Sequence, residues 1–119
     1  MDNAKIQSRF IVDLPCAFGA TLGTPRNGTI TSIGLKGCFV KTTVTVAQEQ
    51  ALFVRVWTNQ DRWLRLHGTV KYHMDRVGFG LTFGELAEGD INDLAALIEE
   101  LRRQNRIAPP ARQGEEVEA

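Results

Sequence analysis

The chain has 119 residues, 43% of them hydrophobic, which suits one globular core and leaves little room for a second. Lysine and arginine total 14 and aspartate and glutamate total 14, so no net charge draws the molecule to nucleic acid or to an anionic bilayer, and charge-driven binding must be local. No apolar run approaches the ~18–20 residues of a membrane helix, and the opening MDNAKIQSRF lacks the apolar core of a signal peptide, so a cytoplasmic location is the expectation.

In chain order, FIVDLPCAF (10–18) alternates, with Val12, Leu14, Cys16 and Phe18 on one side and Asp13 and Pro15 on the other. This predicts a strand, placed at a sheet edge by Pro15, which has no N–H to donate. GATLGTPRNG (19–28) is rich in glycine, proline and asparagine and predicts an exposed connection. GTITSI and GCFVKT read as two short strands around a tight reversal from Gly34 to Gly37. QALFVRVW (50–57) is the next strand, TNQD (58–61) a turn, and RWLRLHGTVKYH (62–73) a long strand returning as a hairpin. After MDR (74–76), VGFGLTF (77–83) completes the sheet. Six short strands joined by turns point to a small antiparallel barrel or sandwich, because closure is how such sheets dispose of their edges.

From residue 90 the period changes. Ile91, Leu94, Leu97, Ile98 and Leu101 follow the spacing of a helix with one apolar stripe, with Asp90 as the expected N-cap. Asp93 in the first turn and Arg102, Arg103 and Arg106 at the far end suit the helix dipole. IAPPARQGEEVEA then reads as a disordered tail.

Catalytic chemistry finds little support, because no nucleophile with a base in reach, carboxylate pair or metal set is visible. His67 and His73 fall on one predicted strand face but too far apart to share a metal, and nothing completes a ligand spacing. Cys16 and Cys38 lie in separate predicted strands and read as small core residues rather than a disulfide. Gly78 and Gly80 lack the following helix and the GK[ST] of a phosphate loop, and close packing of sheet against helix explains them better. Arg55 alternates with Phe53 and Trp57, and Arg65 and Lys71 with Trp63 and His67. Two readings stay open: arginines beside rings that stack on bases, or Trp57 and Trp63 capping the barrel end while the arginine stems cover apolar surface.

Taken together, KIQSRF, TSIGLKGCFV, VKYHMDRVGFGLTFGEL and the closing helix resemble the PilZ domain, a bacterial six-stranded barrel whose family role is sensing the second messenger cyclic di-GMP. The resemblance covers roughly residues 5 to 104 and rests on the order and spacing of the pieces. It implies a mainly β fold, a small six-stranded antiparallel PilZ-like β-barrel with a C-terminal α-helix over 10–104. A flexible basic segment (1–9) would precede it and a disordered tail (105–119) follow it.

The family's ligand signature is an RxxxR pair on the N-terminal segment and a [DN]-x-S-x-x-G bend. Arginine forks bind phosphate and guanine acceptors bidentately, the bend's polar side chains read guanine edges, and its glycine admits close approach. Here the positions carry Lys5 and Arg9, then Ser32, Gly34 and Gly37, so only Arg9 and Gly37 are retained. A lysine is a point charge that cannot grip bidentately, and each lost contact is worth about 1–3 kcal/mol.

The resemblance therefore implies a non-catalytic regulatory module without cofactor or metal, whose ligand is cyclic di-GMP, bound weakly or not at all through Lys5, Arg9, Ser32, Gly34 and Gly37, and which acts through a protein partner. The alternatives are a nucleotide-independent adaptor for type IV pilus or motility machinery, and an oligonucleotide-binding small barrel using Trp57, Trp63 and the nearby arginines. Nucleic acid is disfavoured by the zero net charge.

Overall fold

A computed structural model describes residues 9–21, 23, 25–58 and 63–104. Six strands, β1 (Phe10–Gly19), β2 (Arg26–Ile33), β3 (Gly37–Lys41), β4 (Ala51–Trp57), β5 (Trp63–Met74) and β6 (Gly78–Phe83), precede one helix, α1 (Glu88–Arg103). Every strand pairing is antiparallel, and the order β1–β2–β3–β6–β5–β4 closes on itself as a barrel. Residues 1–8 of the expected segment 1–9, Lys5 included, most of the TNQD turn, Arg106 and the tail 105–119 lie outside the described residues.

The alternation read from the sequence sets the inside. Phe10, Val12, Leu14, Cys16 and Phe18 of β1 are buried, as are Leu52, Val54 and Val56 of β4 and Leu64, Leu66 and Val70 of β5. Phe18 meets Phe79 edge to face, with ring centroids 5.2 Å apart, in a core to which Leu94, Ile98 and Leu101 of α1 also belong. The helix packs against β5 and β1.

Several expectations are corrected. Pro15 does not mark an edge strand, because the barrel has none. It sits in the half of β1 paired to β2 alone, since pairing to β4 begins only at Cys16, so its missing N–H falls where one neighbour is absent. The 19–28 connection is shorter than expected: Arg26, Asn27 and Gly28 join β2, opposite Phe18, Ala17 and Cys16. The helix begins at Glu88 and its N-cap is Ala87, with no side-chain cap. Asp90 instead faces Arg65 of β5, Oδ1 to Nε 3.5 Å, so its carboxylate serves a tertiary contact rather than the backbone. Ile91 is exposed, and the buried stripe begins at Leu94.

Three register shifts interrupt the ladders: one lies in the β1–β2 pair between Ile11 and Leu14, where the alternation of β1 is unbroken, and two bulges break the alternation of their own strands. In the β2–β3 pair, Ile30 faces Val40 but Ser32 faces Phe39, so Thr31 is the extra residue. In the β5–β6 pair, Val70 faces Leu81 but Tyr72 faces Gly80, so Lys71 is extra. An added residue reverses the inside–outside parity of everything beyond it. Ser32 and Tyr72 are turned outward, and Ile33 and His73 are turned to the face of Cys38 and Phe79. His67 and His73 accordingly occupy opposite faces of β5, against the expectation of one shared face.

The core is continuous through Phe79, so truncating it should cost heavily. Phe79→Ala is expected to lower stability by about 3–5 kcal/mol in urea titration; a loss below about 1 kcal/mol would show that this part of the core is not closely packed.

Candidate functional site

The reversal between β2 and β3 is tight because the Gly34 N–H donates to the Gly37 carbonyl over 2.9 Å. The same turn is tied to β6 by the Phe83 N–H, which donates to the Lys36 carbonyl over 2.9 Å. Gly37 has no room for a side chain, since a Cβ there would strike the Leu81 carbonyl oxygen. The turn is thereby held against β6, and Lys36 stands beside that strand.

Because of the two bulges, one outward row runs across five strands: Ile11 of β1, Ser32 of β2, Phe39 of β3, Gly80 of β6 and Tyr72 of β5, each paired with the next. The neighbouring row, Phe10, Ile33, Cys38, Leu81 and Val70, is its buried counterpart. At the β2 end, Arg9 enters from the chain preceding β1 and its Nη2 donates to Ser32 Oγ over 3.2 Å. At the β5 end the ring of Tyr72 lies across Gly80, where a Cβ would come within 2.5–2.9 Å of its outer atoms, and Phe39 stands behind it with centroids 6.2 Å apart.

Between these ends is an open cleft of about 260 Å³, whose wall includes Arg9, Lys36, Gly37, Lys71, Tyr72 and Gly80. Arg9, Lys36 and Lys71 form no ion pair among the described residues. Three cations without a carboxylate partner among the described residues thus surround one concavity, a local concentration of positive charge in a chain of zero net charge. Gly78 and Gly80 are not explained by packing against the helix: a side chain at Gly78 would meet Phe39 and the Val40 carbonyl, and one at Gly80 would meet Tyr72. Gly78 also has φ +154°, which few other residues adopt.

Of the five predicted site residues, the structure brings Arg9, Ser32 and Gly37 together. Gly34 shapes the turn without lining the cleft, and Lys5 lies outside the described residues. Lys36, Lys71 and Tyr72 were not singled out as cleft residues by sequence reasoning. Lys36 could have been found inside the TSIGLKG bend, but Tyr72 depends on a bulge that leaves no local signal.

On the opposite side, Trp57 and Trp63 close the described end of the β4–β5 ladder, paired in register with ring centroids 5.0 Å apart. Arg55 lies over the Trp63 ring at 5.7 Å, and its Nε has no hydrogen-bond partner among the described residues. One indole packs on the other and the guanidinium covers the second ring, an arrangement in which the arginine shields apolar surface. No group of three or more histidine, cysteine or acidic side chains could hold a metal ion among the described residues, and no described helix is long and apolar enough to cross a membrane.

The fold is shared with known structures. The inhibitor of motility MotI/DgrA of Bacillus subtilis superposes with a TM-score of 0.68 at 14% identity, over 84% of this chain and 51% of that one. The PilZ domain of CeSA from a cellulose-synthesizing bacterium superposes with a TM-score of 0.65 at 13% identity, over 79% of this chain and 97% of that one. The chain has the fold of a PilZ domain. It spans about half the length of MotI/DgrA and nearly all of the CeSA PilZ domain. No protein-family model matches the sequence, and no curated protein does.

In this PilZ-fold barrel the two cysteines are free and buried, as the sequence reading expected. Burial pushes the Cys16 thiol from its ordinary 9.0 up to about 12. Cys38 rises to about 12 as well, chiefly by burial and further by Cys16, with Arg9 acting the other way. The folded chain thus holds these protons more tightly than the unfolded chain, so the stability tied to them is full below pH 9 and is lost as pH rises from 9 toward 12. Neither thiol should react with a thiol-specific reagent at pH 8 until denaturant is added, and the urea midpoint should fall between pH 8 and pH 10. Rapid labelling of the native chain would contradict the buried placement.

Proposed function

We propose that this chain is a non-catalytic PilZ-type regulatory module of cyclic di-GMP signalling, which takes the nucleotide weakly in the cleft beside the β2–β3 turn and acts through a protein partner. The observation that carries the reading is the hydrogen bond from Arg9 to Ser32, made across 23 residues of sequence. It joins the two halves of the signature at the edge of a cleft whose cations have no carboxylate partner among the described residues. Arg9 supplies the bidentate fork to a phosphate, Gly37 admits the ligand to the backbone, and Ser32 holds the fork in place.

Lys5 adds charge without a fork, and Ser32 and Gly34 stand where the family carries an acidic or amide group and a serine. These losses account for weak binding. They also support a second reading, a nucleotide-independent adaptor for motility or type IV pilus machinery; one structural neighbour is described as an inhibitor of motility. The oligonucleotide alternative draws no support from the tryptophan corner, where the rings pack on each other and beneath Arg55.

Isothermal titration with cyclic di-GMP tests the proposal. Micromolar binding that Arg9→Ala abolishes is the expected result, whereas no heat at high protein concentration, with thermal stability unchanged by excess nucleotide, would favour the adaptor. Restoring the signature with Lys5→Arg, Ser32→Asp and Gly34→Ser should strengthen binding tenfold or more, each contact being worth about 1–3 kcal/mol. Gly34 is not among the described glycines at positive φ, so its replacement meets no backbone strain of that kind.

A further inference from the structure

Of the described signature positions, Ser32 lies in the outward row, with Arg9 bonded to it. The other end of the row holds Tyr72, 43% exposed; Trp63, 49% exposed, is as open, but of the two only Tyr72 lines the cleft. Its placement is over-determined. The bulge at Lys71 turns it outward, Gly80 opposite leaves the space it lies across, and Phe39 on the next strand backs it. Tyr72 and Lys71 line the same cleft as Arg9 and Lys36, so an apolar ring face and three cations converge on one concavity. A simple anion needs the cations and not the ring, and an apolar peptide needs the ring and not the cations. A nucleotide uses both, because a base stacks on an aromatic face while its phosphates meet arginine and lysine.

We propose that Tyr72 is the base-stacking wall of this cleft, taking a purine base of the nucleotide while Arg9, Lys36 and Lys71 meet its phosphates. The inference rests on the reading of the cleft as a nucleotide site and extends it to β5 and β6, beyond the signature. A stacking ring there offsets part of what the departures at Lys5, Ser32 and Gly34 remove. Gly80 is then a positioning residue, since the three atoms nearest a methyl group at that position all belong to the outer end of the Tyr72 side chain, and the ring would have to swing away.

Tyr72 is the sole tyrosine of the chain, so tyrosine-specific isotope labelling reports on one ring. Saturating cyclic di-GMP should move the Tyr72 ring proton resonances upfield, as a stacked purine requires and a purely structural role does not. Tyr72→Phe, which keeps the ring face, should bind more tightly than Tyr72→Leu. Tyr72→Leu, which still covers Gly80 but offers no ring face, and Gly80→Ala should each bind roughly ten- to a hundredfold more weakly. Thermal melting of each variant near that of the parent separates this loss from unfolding, and Gly80→Ala stands in should Tyr72→Leu fail to fold. Binding that requires Arg9 but is unaffected by Tyr72→Leu or Gly80→Ala, without an upfield shift, overturns the stacking wall and leaves the cleft reading intact. Absence of binding by both the parent and the signature-restored chain overturns the two together.

Discussion

Closure of the barrel around a single filled interior is the constraint on which the rest of the structure depends. Each strand must present alternate residues to an inside that holds Phe10, Phe18, Ile30, Val54, Phe79 and their neighbours at almost no exposure. A one-residue slip would exchange the two faces of a strand, so the register is strongly specified wherever the alternation is clean. Where it changes, at Thr31 and Lys71, the change is local and the ladder resumes with opposite parity. The bulges therefore leave the core intact on both sides while moving Ser32 and Tyr72 outward.

The cleft is a by-product of that geometry. With the central strand β6 reduced to glycine at 78 and 80, the outer surface between β3 and β5 is low, and the rings of Phe39 and Tyr72 lean into the space. The β2–β3 turn is pinned to β6 through Phe83 and Gly37, which brings Lys36 to the side of the depression. Arg9 arrives from the residue before β1 and is held by Ser32. Four separate stretches of sequence thus supply one basic concavity in a chain with no net charge.

The helix completes the core rather than the site. Leu94, Ile98 and Leu101 enter the interior, while Arg65 with Asp90 and Arg102 over the Phe10 ring mark its two ends against the barrel. Arg65 is largely exposed, so its ion pair contributes at most about 1 kcal/mol and acts more on orientation than on stability. Arg102 lies beside the residue that follows Arg9, which sets the end of the helix near the beginning of the cleft-bearing segment.

Much of the fold was legible in the amino-acid order. The alternation of β1, β4 and the first part of β5, the Gly34–Gly37 reversal and the Leu94–Ile98–Leu101 stripe are local patterns, and local patterns determine which residues face a core. The resemblance of TSIGLKG and its flanking pieces to a ligand signature also pointed to Arg9, Ser32 and Gly37, which the tertiary structure brings together. Tertiary structure alone decided the rest. Pro15 in a barrel without edges, the opposite faces of His67 and His73, Asp90 turned to Arg65 instead of capping its helix, and Tyr72 across Gly80 all depend on what lies on another strand. A sequence states the period of each strand, but the pairing of strands chooses where that period breaks, because a bulge costs little alone and is settled by the packing on both of its sides.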